Sequence, residues 1–490
     1  MRRGENSFNL DDLNMRTKET VSLTVESSTQ ETHEREVSLN LLHALRVLEG
    51  RREVWLAQVT EGESRVVAKK FLIGQKQDKE CRREINGLRE LLRRGIPGPK
   101  LLFDAMDSQG NFWVVAEYID NAIELGDVMF RGVQASRRAA AIKRFVQNLL
   151  LHWRNGVYQT DAHYKNFLWD GNEIYTIDVG SIRFLNREVS SRARRRTLVR
   201  MCHRFSKETW SIFLSSYLEL ASTQAEKALG KEMHTEGFRR LVERGRKSEL
   251  KSFWAKCQRD CSEFERIERN GLLVLRERDR NKTISEAFIN NPESIMSSGK
   301  RLKSGNTCTV QLVELEGQKF VVKRYNPKSL VYRIRHAFTN SRAIKTWANS
   351  KLLKKMEINT ANCVMVLEER EFGMLKKGYV VMEHVDGETL NLAMRSQGLT
   401  KNVRKGYIEQ IVVLFEKLYR NRVVHGDMKA KNLLVNDSGI HLIDIDGMKP
   451  FLDSANFQNY FEKDRQRFLE NWNDLPEMKQ LLDSQLSKFK

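Results

Sequence analysis

The chain has 490 residues, 40% hydrophobic and 30% charged, enough for two or three domains with full cores, and its 84 Lys and Arg against 64 Asp and Glu leave a formal charge of +20. That charge predicts attraction to nucleic acid, to an anionic membrane or to a phosphorylated substrate, without choosing among them. The six cysteines follow no zinc-ribbon spacing and read as reduced thiols, GENSFNLDDLN after the basic start is not a signal-peptide core, and no run of about 18 apolar residues predicts a membrane span.

Residues 1–35, with SLTVESSTQETHERE, lack a sustained apolar period and predict a flexible leader. EVWLAQV and RVVAKKFL then read as two strands around the turn Glu61-Gly62-Glu63-Ser64. Lys69 or Lys70 on the second strand is the candidate for holding the nucleotide phosphates, and Lys69 is favoured because VAKKF lines up with VVKRY around Lys323. KECRREINGLRELLRRGIPGP predicts a helix with Ile85, Leu88, Leu91 and Leu92 on one stripe, stopped by Gly95 and Pro97. It carries Glu84, which is positioned to orient the strand lysine through an ion pair. A helix from a Ser136 cap to Leu151, with Ala140, Phe145, Leu149 and Leu150 as core, leads into VYQTDAHYKNFLWDGNEIYTIDVG.

In that stretch Asp161, Asn166 and Asp178 step five residues and then twelve. This is the spacing of a phosphoryl-transfer site, in which the first Asp accepts the hydroxyl proton and the Asn and second Asp hold Mg²⁺. The following Arg183, Arg187, Arg192, Arg194, Arg195, Arg196, Arg200 and Arg204 read either as solvated helix surface or as an anion-binding face. Residues 205–280 read as helical and complete the first domain.

The second half repeats the pattern. RLKSGNTCTVQLVELEGQKFVVKRY supplies two strands, Lys323 and a short loop with the single Gly305, a weak phosphate cradle without GxGxxG. Aligned without gaps on the Glu84 helix, SRAIKTWANSKLLKKMEI puts Thr346 opposite Glu84, so the lysine's usual partner is missing unless another acid covers it. VVHGDMKAKNLLVNDSGIHLIDIDG again steps five and twelve, from Asp427 to Asn432 to Asp444, with a β-hairpin returning the chain between the last two. Glu117 and Glu383 each end an apolar run 44 residues before the first Asp, where a kinase hinge joins its lobes. The self-match predicts an α+β protein of two tandem kinase-like domains, residues 36–280 and 281–490, each with a small β-rich lobe and a larger helical lobe. Phe461, Phe468, Leu469 and Trp472 are the expected core of the last helix.

On RREINGLRELLRRGIPGP, YQTDAHYKNFLW and IDVGSIR in the first half, and AIKTWANSKLL, VVHGDMKAKN, LIDIDG and DRQRFLENW in the second, the chain resembles the bacterial lipopolysaccharide core kinase family, which has a minimal protein-kinase-like fold. The resemblance implies transfer of the ATP γ-phosphate to a heptose or Kdo hydroxyl of the inner core, with Asp161 and Asp427 as catalytic residues. Asn166, Asp178, Asn432 and Asp444 would hold Mg²⁺, and Lys69, Glu84, Glu117, Gly305, Lys323 and Glu383 would serve ATP. The implied partners are the lipopolysaccharide core or its lipid-linked precursor and an anionic inner-membrane surface, with the chain peripheral on its cytoplasmic face and no specific nucleic acid. Two positions depart from the family: Gln159 stands where His is usual, an amide expected to brace the loop in its place, and Thr346 replaces Glu. A protein kinase, another small-molecule kinase, and a nucleotide-binding scaffold with one silent domain stay open as alternatives.

Overall fold

The computed structural model describes residues 19–25, 35–48, 50–60, 62, 64–74, 77–130, 133–278, 280–305, 308–326, 339–452 and 454–489. They form two compact units, Met1–Gly245 and Arg246–Lys490.

In the first unit six antiparallel strands close into a barrel, in the order Glu19–Val25, Arg35–Leu48, Arg52–Val59, Arg65–Phe71, Phe112–Glu117 and Leu101–Asp107. Alternation drives it: Val66 and Ala68 face inward along one strand, Leu23, Leu39, Trp55 and Trp113 fill the interior from the others, and Phe71, on the opposite face, packs toward Ile85 and Leu88. The expected leader is corrected here. Val21, Leu23 and Val25 alternate with polar residues, and their strand pairs with both its neighbours, Leu23 opposite Val37 on one side and Asp107 on the other. The remainder of that leader, and Glu61 and Glu63 of the predicted turn, lie outside the described residues.

The predicted helix is present as Gln77–Arg93, with Ile85, Leu88 and Leu91 packed toward Val114 and Ala116, and Gly95 ends it at φ +65°. Leu92, expected on the buried stripe, is 64% exposed, because one residue past Leu91 turns the side chain about 100° off the face. The next long helix is Ala135–Arg154, so it starts before Ser136; Ala140 is exposed and Ala141, Ile142, Phe145 and Val146 form the buried stripe. Among the described residues four further helices follow, beginning at Ser191, Lys207, Gln224 and Glu236.

The second unit does not start at residue 281. Phe264–Arg269 and Leu272–Glu277, expected to be helical, form a hairpin whose second strand pairs with Cys363–Glu371 and extends that sheet. Alternating and β-branched residues there favour a strand over a helix. The seven strands run in the order Phe264–Arg269, Leu272–Glu277, Cys363–Glu371, Met374–Glu383, Gln318–Tyr325, Cys308–Leu315, Lys300–Gly305. The helix Arg342–Lys355 lies against this sheet through Ile344, Trp347 and Ala348. A helical lobe follows, built on Lys401–Asn421, Ser454–Leu469 and Pro476–Leu486, and Phe461, Phe468, Leu469 and Trp472 are buried in its core as expected. All six cysteines are free, and among the described residues no helix is long and apolar enough to cross a membrane.

Candidate active site

In the second unit the chain leaves the Lys401–Asn421 helix through Arg422, in the left-handed region at φ 53°, and enters the loop that carries Asp427. Gly426 has φ +88°, and a Cβ there would stand 2.6 Å from the Gly447 carbonyl oxygen, so only glycine allows the loop to pass so close. His425 is buried between the two arms: its Nε2 meets the Ile443 carbonyl at 3.0 Å. Asn432 donates from Nδ2 to the Asp427 carbonyl at 2.8 Å, which leaves its amide oxygen free to face the metal position. Ile443 N then bonds Asn432 O at 2.9 Å, so the hairpin delivers Asp444 beside Asn432. Asp444 sits at φ 56°, ψ 49°, a conformation strained for a residue with a Cβ and tolerated best by Asn and Asp.

The first unit repeats this loop in detail. Asn166 Nδ2 donates to the Asp161 carbonyl at 2.9 Å, Ile177 N bonds Asn166 O at 2.9 Å, and Asp178 takes φ 59°, ψ 64°. One amide oxygen and one carboxylate per unit form a hard, incomplete oxygen set, which suits Mg²⁺ shared with nucleotide phosphates and water. Gln159, however, does not replace the bracing histidine: its Nε2 is buried and has no hydrogen-bond partner among the described residues. Here Thr160 Oγ1 ties the arms instead, donating to Ser181 O at 2.7 Å.

The lysines differ in their partners. Lys69 pairs with the buried Glu84, while Lys70 turns to Asp107 at 3.5 Å and lies over Trp113, so Lys69 is the lysine on the side of the Glu84 helix. Lys323 lies 2.6 Å from Asp444 Oδ1 and 3.2 Å from Asp446 Oδ2. Burial opposes its charge, but Tyr325, Asp446 and Asp444 outweigh that and hold the ammonium above the usual lysine range. The same contact depresses Asp444 against its own burial.

At the catalytic Asp, burial raises the Asp427 pKa, but Lys429 at 2.7 Å and Arg467 outweigh it and the carboxyl lies below its ordinary range, ionised at neutral pH. Asp464 on the Ser454–Leu469 helix accepts from Gly426 N at 2.9 Å and Met428 N at 3.4 Å. Sequence reasoning missed Asp464, Arg467 and Asp446, although all three lie in motifs it had singled out, DRQRFLENW and LIDIDG. Glu117 and Glu383 do end strands, but their carboxylates accept from Lys100 N (3.4 Å) and Asn362 Nδ2 (2.9 Å). Their backbone N–H groups are engaged too, Glu117 N with Lys100 O and Glu383 N with Asn362 O, both at 2.9 Å. Gly305 closes an exposed strand, with Cys308 O the nearest neighbour to an added Cβ at 3.4 Å.

Within the arginine-rich segment, Arg194, Arg195 and Arg200 are held by protein groups. Arg194 is 2% exposed and bonds Val189 O, Glu188 and Glu226, Arg195 pairs with Glu232, and Arg200 donates to Thr160 O at 2.6 Å.

An aspartate flanked by cations, an amide and a second aspartate on two adjoining arms, and a sheet lysine are the groups that ATP-dependent phosphoryl transfer uses, and residues 297–462 match the protein kinase domain family. ATP is its co-substrate, with Mg²⁺. The chain is similar to serine/threonine-protein kinases GRIK1 and GRIK2 of Arabidopsis thaliana, at 27% identity over 183 residues and 28% over 178. These alignments cover 36% and 35% of this chain and 43% of each relative, so the chain spans less than half the length of the relatives it matches. It is also 32% identical over 136 residues to the CBL-interacting serine/threonine-protein kinase 15 of the same plant, covering 25% of this chain and 32% of that one.

These matches overturn the lipopolysaccharide core kinase resemblance and with it the heptose or Kdo acceptor. The quoted motifs are the ATP and Mg²⁺ machinery, which kinases of many acceptors share, and they carry no information about a sugar.

Proposed function

We propose that the chain is a protein kinase that moves the γ-phosphate of ATP to a Ser or Thr hydroxyl of a protein, with the second unit as its catalytic domain. The observation that carries this is the coincidence of the protein kinase match, residues 297–462, with the cluster of Lys323, Asp427, Asn432 and Asp444. Asp427 would orient the acceptor hydroxyl and take its proton, Lys323 would meet the nucleotide phosphates, and Asn432 with Asp444 would hold Mg²⁺, which neutralises charge on the transferring phosphoryl group. Lys429, at the base, would add a cation beside that group.

The reading extends to the first unit as a second kinase-like domain. Lys69, Asp161, Asn166 and Asp178 reproduce the elements, spacings and loop hydrogen bonds of the second unit, and Glu84 gives Lys69 a carboxylate partner. The test is incubation of the full chain with γ-labelled ATP and dephosphorylated casein, followed by phosphoamino-acid analysis. Phosphoserine or phosphothreonine that disappears with Asp427→Asn supports the reading. Labelling of casein that is indifferent to Asp427→Asn, or no labelling of any protein, would overturn it.

A further inference from the structure

Three positions change together between the two units. Where the first has Phe71, Glu84 and Gly180, the second has Tyr325, Thr346 and Asp446. Phe71 and Tyr325 each follow the sheet lysine by two residues, Glu84 and Thr346 share a helix position, and Gly180 and Asp446 each stand two residues after the metal-binding Asp.

In the first unit the carboxylate for the lysine comes from the helix. Gly180 faces it: a Cβ there would meet Glu84 Oε2 at 3.8 Å and Asp178 Oδ1 at 3.9 Å, its nearest neighbours. A carboxylate at 180 would stand against two others, and like charges at such range are costly. In the second unit the helix offers no carboxylate. Thr346 Oγ1 donates to Arg342 O at 2.9 Å and meets the Tyr325 hydroxyl at 3.1 Å. The vacated space takes Asp446, whose side chain is 8% exposed. Its Oδ2 accepts from Lys323 Nζ at 3.2 Å, Tyr325 OH at 3.3 Å and Arg342 Nε at 3.1 Å. The Tyr325 hydroxyl, absent from Phe71, thus lies between Thr346 and the displaced carboxylate, to which it donates.

We infer that Asp446 is the positioning residue for Lys323, doing from the metal-binding loop what Glu84 does for Lys69 from the helix, with Tyr325 and Arg342 fixing its carboxylate. This rests on the kinase reading of the second unit. A consequence is that lysine and metal ligand are set by one short segment, Asp444 to Asp446, so the helix Arg342–Lys355 need not supply an acid for the second site to form. Such a site is assembled from the loop side.

The test uses the full chain carrying Lys69→Met and Asp161→Asn, so that only the second unit reports. Mg-ATP affinity is measured by calorimetry, and ATP KM, kcat and Mg²⁺ half-saturation with casein. Asp446→Asn, nearly isosteric, should weaken ATP binding and raise its KM roughly 10- to 100-fold, the range for loss of one charge-assisted hydrogen bond, with Mg²⁺ half-saturation unchanged. Thr346→Glu with Asp446→Gly and Tyr325→Phe, which installs the first unit's arrangement, should recover most of what Asp446→Gly alone loses. Unchanged ATP affinity in Asp446→Asn would overturn the inference. So would a defect that appears in the Mg²⁺ requirement instead, since Asp446 would then be a metal ligand. Thermal melts identify a triple variant that fails to fold, in which case Asp446→Asn decides alone. Calorimetry needs no acceptor, so failure to phosphorylate casein would count against the protein-kinase reading and leave this result readable.

Discussion

Arg467 donates from Nη1 to the Gly426 carbonyl oxygen at 2.8 Å. It also lies 3.4 Å from Asp427 Oδ1, and in the first unit Arg200 stands likewise at Thr160 O and 3.9 Å from Asp161 Oδ1. In both units an arginine from a later helix fixes the residue before the proposed base, Gly426 before Asp427 and Thr160 before Asp161. A bond to the carbonyl holds the backbone, so its loss should tilt the base without touching the nucleotide. Arg467→Ala is expected to lower kcat roughly tenfold at unchanged ATP KM, because small misplacements of a reacting group are expensive. An unaltered kcat in steady-state assays would make the contact incidental.

Two nucleotide sites should be countable. Titration calorimetry with Mg-ATP is expected to give two sites per chain in the wild type and one after Lys69→Met, which removes the phosphate-facing cation whose partner is Glu84. A single site in the wild type would confine nucleotide binding to one unit.

Arg194 and Glu226 form a buried network, at 3.4 Å, with Arg154 a further 2.8 Å partner of the same carboxylate. Burial opposes ionisation of Glu226, but the Arg154 hydrogen bond and backbone donors at Ser222 and Thr223 outweigh it and lower its pKa to about 2. Arg194→Ala removes one partner and leaves a buried charge short of compensation, which costs about 3–5 kcal/mol. A clear drop in the thermal midpoint of the first unit is expected; an unchanged midpoint would mean that Arg154 alone suffices.

His152 is buried, its Nε2 2.8 Å from Thr176 Oγ1, and burial lowers its pKa from 6.5 to about 3. It is neutral in the folded chain, whereas the unfolded chain takes up a proton below about 6.5. Its contribution to stability is therefore complete above that pH and declines as pH falls from 6.5 toward 3. Denaturant melts at pH 7.5 and 5 should show the loss, and His152→Gln should shrink the difference between them. An equal difference in both proteins would place the dependence elsewhere.

What could be read from the sequence was what it says twice. Asp161, Asn166 and Asp178 repeat as Asp427, Asn432 and Asp444, and a strand lysine precedes each set, so spacing alone located both loops. Asp446 was invisible because its meaning depends on Lys323, 123 residues away, and on a space that exists only because Thr346 is short. Arg467 and Arg200 were hidden among many arginines, since nothing local distinguishes a side chain bound to a loop carbonyl from one in solvent. The boundary between units was misplaced because Phe264–Glu277 follows a run of helices and earns its strand conformation from a partner, Cys363–Glu371, that lies far ahead in the chain. The acceptor was misassigned for a different reason: phosphoryl-transfer motifs describe the donor side of the reaction.

The two sheets also differ in whether they end. The first unit's sheet closes on itself where Glu19–Val25 meets Leu101–Asp107, at Leu23 with Asp107 and Thr24 with Met106. The second unit's sheet stops at Lys300–Gly305, every residue of which is exposed. An open strand is a template on which another copy can add by main-chain pairing, the first step toward aggregation. Lys300, Arg301 and Lys303 occupy that strand, and a second copy arriving there would bring the same three cations with it. Their mutual repulsion keeps the rim of the sheet solitary, a protection that should weaken as added salt screens the charges.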